Sequence, residues 1–243
     1  MRRHGSSSRH LASRQFVVFS QNHDQVGNRM RGERLSALVP PEALKVAAAV
    51  VLLSPFLPFL FMGEEYGETA PFRYFVSHGD GGLVEAVRRG RKEEFAASGW
   101  EGEPPDPQDE NTFLGSRLDQ ALREQAHHKV PRDFYRELIR LRKEHPALRY
   151  PGKRETEVDA LESERVLAVR RWRGTVQALA VFRFADSPAV VSVRCPPGEW
   201  TKRLDASEER WGGAGSPLPE RLGAERPAVL PLPSWAAVLY TSG

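Results

Sequence analysis

Two short apolar runs, FVVF (residues 16–19) and LPFLFM (residues 57–62), each pass without a break into a cluster of polar residues, and the long apolar segment VAAAVVLL lies between them. A continuous apolar run is how a strand covered on both faces reads, whereas a one-sided strand alternates. The intervening segment predicts a helix. Pro41 stands near its first turn, Glu42 suits the positive N-terminal end, and Ser54-Pro55 stops it. Strand, helix, strand in that order is a parallel βαβ unit, because a parallel pair needs a crossover long enough to hold a helix. Ligands of parallel α/β folds sit at the C-terminal ends of the strands. Gln21, Asn22, His23, Asp24, Gln25, Asn28 and Arg29 after the first run, and Glu64, Glu65 and Tyr66 after the second, are therefore expected to converge on one crevice.

Further along, GGLVEAVRRGRKEEFAAS (residues 81–98) predicts a helix with a weak point at Gly90, and WEGEPPDPQDENTF (residues 100–113) a Pro-rich loop. DFYRELIRLRKEH (residues 133–145) predicts a helix with Phe134, Leu138 and Leu141 on one face, stopping before Pro146. Beyond about residue 149 the pattern changes to short β-like runs separated by turn residues: RVLAVRRW, VQALAVFRF, AVVSVRC, EWTKRL, PAVLPL and WAAVLYT. These predict an antiparallel sandwich or small barrel of roughly ninety residues. The expected boundary is Tyr150-Pro151-Gly152, giving domains 1–149 and 150–243. Two buried parallel strands cannot cover their own edges, so the first 149 residues read as the end of a larger α/β unit.

The charge of +3 arises from Arg and Lys scattered among many Glu, not from one basic block, which argues against a nucleic-acid partner. The single cysteine, Cys195, cannot form an internal disulfide and reads as a buried, inert thiol in a reducing compartment. MRRHGSSSRH is basic and free of acids, and Arg2-Arg3 resembles a twin-arginine signal, yet no adequate apolar core follows. Pro55 and Pro58 interrupt the longest apolar run, so no membrane span is expected and the chain reads as a soluble cytoplasmic protein. The polar clusters have no repeated His or Cys spacing for a metal and no glycine pattern for phosphates.

Asp24 with Glu64 or Glu65 could form a glycosidase-type carboxylate pair, one ionised and one protonated. Alternatively Asp24 caps the following segment while Glu64 and Glu65 are solvated loop residues. The density of amide, imidazole, carboxylate and guanidinium groups favours a ligand, because vicinal sugar hydroxyls need donors and acceptors side by side. Carbohydrate is the expected ligand class.

FVVFSQNHDQVGNR resembles the strand-seven motif of the α-amylase superfamily (glycoside hydrolase family 13), whose barrels carry an Asn-His-Asp there. GERLS, LLSPFLPFLFMGEEYGE, PFRYFVSHGD, LVEAVRRGRKEEF, DPQDENTF and LDASEERWGG are similar to the maltooligosyltrehalose trehalohydrolase family. The resemblance covers nearly the whole chain from about Arg14. It implies α/β plus all-β architecture: the last two strands and helices of a (β/α)8 TIM barrel followed by a β-sandwich. It implies hydrolysis of the α-1,4 bond next to the trehalose unit of maltooligosyl trehalose, with retention and with no metal or organic cofactor.

Carried over by position, Asp24 is the transition-state-stabilising third carboxylate and His23 a hydrogen-bonding partner of the same sugar. Asn22, Gln25, Asn28 and Arg29 build the rim, and Glu65 and Tyr66 shape neighbouring subsites. The family's nucleophile and acid belong to strands four and five and have no counterpart in these 243 residues. The chain by itself is expected to be inactive, with its two-strand remnant leaving the apolar faces of VAAAVVLL exposed. A branching enzyme or other amylase relative is the alternative enzyme. A noncatalytic carbohydrate-binding module using Trp200, Trp211 and Trp235 is the alternative of another class.

Overall fold

The computed structural model describes residues 6–100, 102–150, 152–223 and 227–243. The first half of the signal-like N-terminal stretch, Glu101 of the Pro-rich segment and Pro151 at the expected boundary lie outside the described residues. In chain order the helices are α1 (His23–Gly27), α2 (Leu35–Leu38), α3 (Pro41–Leu53), α4 (Gly81–Ala97), α5 (Glu110–Leu114), α6 (Ala126–Glu144) and α7 (Pro146–Arg149). The strands are β1 (Val17–Val18), β2 (Leu57–Pro58), β3 (Thr156–Leu161), β4 (Val166–Arg173), β5 (Val176–Arg183), β6 (Ala189–Val193), β7 (Glu199–Asp205), β8 (Arg221–Gly223), β9 (Ala228–Leu232) and β10 (Ala237–Ser242). These elements form two compact units.

The first unit comprises the chain up to Ser20, Pro41–Phe59 and Asp133–Gly243. Within it β1 and β2 pair in parallel, Val17 opposite Leu57 and Val18 opposite Pro58, with α3 as the crossover. The ladder is shorter than the apolar runs suggest, and β2 stops at Pro58, whose ring nitrogen cannot donate. Ala43, Lys45, Val46, Ala48, Ala49, Val51, Leu52 and Leu53 of α3 are all buried, and the helix packs on β5 and β10. This corrects the expectation that VAAAVVLL would be left exposed: a sheet that follows it in sequence covers it. On the strand pair, by contrast, Val17, Phe19, Leu57 and Phe59 face solvent.

Three cations anchor α3, Lys45 and Arg171 buried and Arg142 half-buried. Lys45 Nζ donates to the carbonyls of Ala206 (2.7 Å) and Trp211 (3.0 Å). Arg142 donates to the carbonyls of Leu52, Ser54 and Phe56, and Arg171 to those of Leu53, Ser54, Leu148 and Tyr150. Both guanidinium groups thus sit at the negative end of the helix and satisfy its last carbonyls.

All pairings after residue 155 are antiparallel. One sheet has the order β3-β4-β5-β10-β7-β8 and the other is β6-β9. A single apolar cluster draws on both sheets, with Leu179, Val181, Trp200, Val238 and Tyr240 from the larger and Val191, Val193, Leu230 and Leu232 from the smaller. Each of the six β-like runs becomes a strand. The sequence pattern misses β3, an edge strand with Glu157 and Asp159 in its middle, and β8, which is only three residues long.

The second unit comprises Gln21–Pro40 and Leu60–Arg132. A chain of edge-to-face rings, Phe61, Phe72, Phe75 and Phe113, runs through it at 5.2 to 5.8 Å spacings. Gly32 has φ +69°, and a Cβ there would lie 2.6 Å from the Phe72 carbonyl, so only glycine lets these two stretches touch. α4 runs unbroken through Gly90. Part of the expected loop is helical instead: α5 forms because Asp109 caps it by accepting from Asn111 N (2.8 Å). α6 begins seven residues earlier than the pattern suggested and tolerates Pro131 near its start.

Candidate functional site

The segment after β1 is organised by its amides. Asn22 is extended and caps α1, its Oδ1 accepting from Asp24 N at 2.7 Å while Gln25 Oε1 accepts from Asn22 N at 3.0 Å, a reciprocal capping box. Buried Gln21 accepts from Leu35 N at 3.0 Å. The cap is therefore Asn22, where the sequence alternative made it Asp24. With the amides engaged on backbone, His23 and Asp24 are left outward. Their side chains are 69% and 63% exposed, with Nε2 and Oδ1 3.2 Å apart. Asn28 Oδ1 accepts from Arg91 Nη1 (3.2 Å), and Arg91 Nη2 donates to Gly27 O (2.9 Å). Arg29 faces Glu33 at 3.4 Å and lies over the Trp100 ring.

The segment after β2 is a single 3-10 turn, Glu64–Tyr66, bracketed by left-handed Gly63 and Gly67. A Cβ on Gly63 would come within 2.7 Å of the Glu68 side chain, so the turn closes only with glycine there. Glu64 is buried and accepts from Phe61 N at 3.1 Å, which points it away from any ligand. Tyr66 is fully buried, its hydroxyl donating to Glu68 Oε2 at 2.8 Å. Burial, reinforced by Glu68, pushes its phenol up to about 12. His128 Nδ1 is 2.7 Å from the Tyr66 carbonyl, which only accepts, so Nδ1 carries the proton. Of the three polar residues of this turn only Glu65 reaches outward, with Oε1 3.5 Å from Arg123 Nη2.

Two residues outside the sequence-derived set hold this turn. Glu68 is completely buried and accepts four bonds, from Tyr66 OH, Thr69 N, Ala70 N and Asp119 N, each at 2.8 Å. Arg34 is almost fully buried, donating to Ala70 O (2.6 Å) and Met62 O (2.7 Å) with its guanidinium over the Phe61 ring. Burial lowers its pKa while Glu68 opposes the shift. Both lie in quoted motifs, Arg34 in GERLS and Glu68 in MGEEYGE, and a charged residue inside an otherwise matched motif was the available signal.

Two sets of groups face outward, an imidazole with a carboxylate at His23 and Asp24 and a carboxylate with a guanidinium at Glu65 and Arg123, both suited to polyhydroxylated ligands. Among the described residues no group of three or more His, Cys, Asp or Glu is placed to hold a metal ion, and no helix is long and apolar enough to cross a membrane. Trp200 is fully buried and donates to Pro196 O, and Trp211 packs edge-on against Phe134, so neither ring is free to stack on a sugar. Cys195 is partly buried, and burial pushes its thiol up to about 11.

No protein-family profile matches the chain. Among curated proteins it is 46% identical over 173 residues to a malto-oligosyltrehalose trehalohydrolase of Rhizobium sp. (strain M-11), covering 71% of this chain and 28% of the relative. It is 38% identical over 217 residues to the enzyme of the same name from Deinococcus radiodurans, covering 87% of this chain and 36% of the relative. Among solved structures, an alpha amylase from Salmonella typhimurium superposes on 98% of this chain with a TM-score of 0.77 at 31% identity, over 37% of its own length. The chain thus resembles trehalohydrolases and amylases, and it spans roughly a third of the length of each of these relatives.

Proposed function

We propose that the chain is a carboxy-terminal part of a malto-oligosyltrehalose trehalohydrolase, a retaining glycosidase of the α-amylase superfamily that releases trehalose from maltooligosyl trehalose. The observation that carries this reading is the outward His23–Asp24 pair, set on a turn where the amides of Gln21, Asn22 and Gln25 are engaged with backbone. On this reading Asp24 grips the hydroxyls of the reacting glucose and favours its flattened, oxocarbenium-like state, while His23 hydrogen-bonds the same ring. Asn22 and Gln25 shape the turn, and Asn28 and Arg29 form its rim. Tyr66 supports Glu65 from behind, since its ring and hydroxyl are both enclosed.

Residues 1–149 are then the last two strands and helices of a (β/α)8 barrel, and 150–243 the β-sandwich domain. The exposed row Val17, Phe19, Leu57 and Phe59 supports the barrel assignment, since the interior of such a barrel is filled by side chains from all its strands. Hydrolysis with retention needs a nucleophile and an acid about 5 Å apart. Glu64 is turned inward, and on this reading Asp24 and Glu65 bind sugar hydroxyls, so these residues hold the sugar but do not cut it alone. The reading calls for no cofactor, a soluble α-glucan substrate and a cytoplasmic setting.

The test is to isolate from its own cells whatever protein carries these residues, determine its mass, and incubate it with maltooligosyl trehalose. Trehalose release by a species longer than 243 residues supports the proposal. Release of maltose or branched glucan without trehalose would replace it with the amylase-relative reading, which the Salmonella structure favours.

A further inference from the structure

The loop after β2 leaves two polar groups with spare hydrogen-bonding capacity, and they are neighbours. Glu64 Oε2, the Tyr66 hydroxyl, both Glu68 oxygens and His128 Nδ1 are engaged with backbone or with one another. Glu65 and Arg123 differ. Their side chains are 34% and 41% exposed, and the 3.5 Å between Oε1 and Nη2 exceeds an ordinary hydrogen bond, so neither saturates the other. Arg123 Nε is enclosed and without a partner among the described residues, so it is the Nη end of the guanidinium that is open to a ligand. A half-exposed ion pair of that length adds little to stability.

Both groups are nonetheless held in place. The Arg123 guanidinium lies 4.9 Å from the centre of the Tyr66 ring, and its main-chain carbonyl accepts from Arg132 Nη1 at 3.0 Å. Glu65 rides on a turn fixed by two left-handed glycines and by the four-fold engaged Glu68. The Nη end of a planar guanidinium beside a carboxylate, both held in place and partly open to solvent, matches a vicinal diol, which offers two acceptor oxygens and two hydroxyl protons side by side.

The geometry points to Glu65 and Arg123 as a paired sugar subsite, in which the guanidinium donates to adjacent hydroxyl oxygens of one glucose ring and the Glu65 carboxylate accepts a hydroxyl proton. This rests on the glucan reading above and deepens it: the ring-facing partner of Glu65 is Arg123, from the turn before α6, and Tyr66 is the platform under it.

The experiment titrates the 243-residue chain with maltotriose and with trehalose by NMR, comparing wild type with Arg123→Met, Glu65→Gln, Arg123→Lys, Asp24→Asn and the control Arg89→Met. Wild type is expected to bind one of the sugars in the millimolar range. Arg123→Met and Glu65→Gln should each weaken binding about tenfold or more, the loss of one charge-assisted hydrogen bond. Arg123→Lys should not restore it, because a point charge lacks the fork, and Arg89→Met should leave it unchanged. Wild-type affinity in both Arg123→Met and Glu65→Gln overturns the pairing. If Asp24→Asn still weakens binding, the glucan reading survives that result. No binding of either sugar at tens of millimolar also overturns the subsite, and leaves the enzyme reading to the trehalose-release assay.

Discussion

Replacing Glu68 by Gln tests how the turn that carries Glu65 is held. In the wild type Oε1 accepts from Thr69 N and Ala70 N, and Oε2 from Tyr66 OH and Asp119 N, with the side chain wholly buried. A glutamine keeps one acceptor and turns the other into an amino group. The less costly orientation keeps the oxygen toward Thr69 and Ala70, because the Tyr66 hydroxyl can rotate to accept from the new amino group. Asp119 N–H cannot adapt and is left facing a donor. An unsatisfied buried amide costs about 1–3 kcal/mol, and the two surviving bonds lose their charge assistance, so the local cost is about 2–4 kcal/mol. The assay is amide hydrogen exchange of residues 60–70 and 119, read against β5 as an internal reference. Exchange should quicken roughly 30- to 700-fold in the loop with β5 unchanged. The Tyr66 phenol should fall from about 12 but stay above 10, because burial is the larger cause. An acceleration below about threefold would show that the Glu68 carboxylate does not hold the turn.

Arg142→Met leaves the carbonyls of Leu52 and Phe56 without this donor, Arg171 still reaching Ser54, and should cost about 2–4 kcal/mol in urea denaturation, while a loss under about 0.5 kcal/mol would refute the anchoring role. Burial, with Arg203 and Arg171 nearby, lowers the pKa of His145, so the folded state refuses a proton that the unfolded chain accepts below about pH 6.5. Stability should therefore fall as pH drops through 6.5 and stop falling once the lowered folded pKa is passed. His145→Gln should flatten that slope between pH 7 and 5, and an unchanged slope assigns it to other groups. In the trehalose-releasing protein, Asp24→Asn should reduce kcat on the order of a thousandfold with little change in KM, and an unaltered kcat removes Asp24 from the transition state.

Elements with a strong internal pattern were legible in the sequence. The apolar α3 and the β-like runs that became β4, β5, β6, β7, β9 and β10 each needed only local periodicity and flanking turn residues. The misses share a cause. β3 alternates with charges because it is an edge strand, α5 depends on one Asp cap inside a Pro-rich stretch, and the early start of α6 runs through Pro131, which a sequence reading takes as a helix breaker. The nearly unbroken apolar surface of α3 implies burial, but what covers it could not be read locally, because β5 and β10 lie more than a hundred residues later.

The polar clusters were visible as clusters, and the capping box of Asn22 and Gln25 is a three-residue spacing that sequence can carry. Which members face outward was not visible. By itself the sequence determined the local units: a strand–helix–strand run, a capped turn bearing His23 and Asp24, and a glycine-bracketed turn bearing Glu64 and Glu65 with a third acid, Glu68, just after it. Tertiary structure decided how those acids divide. Glu68 is saturated by an amide 51 residues away, and the loop carbonyls of Ala70 and Met62 are met by Arg34, 36 and 28 residues away. Glu64 is turned inward, and only Glu65 keeps lone pairs for a ligand, beside an arginine from another turn. Hydrogen-bond satisfaction of a buried carboxylate depends on whichever donors the folded chain brings within reach, and no short-range pattern encodes those donors.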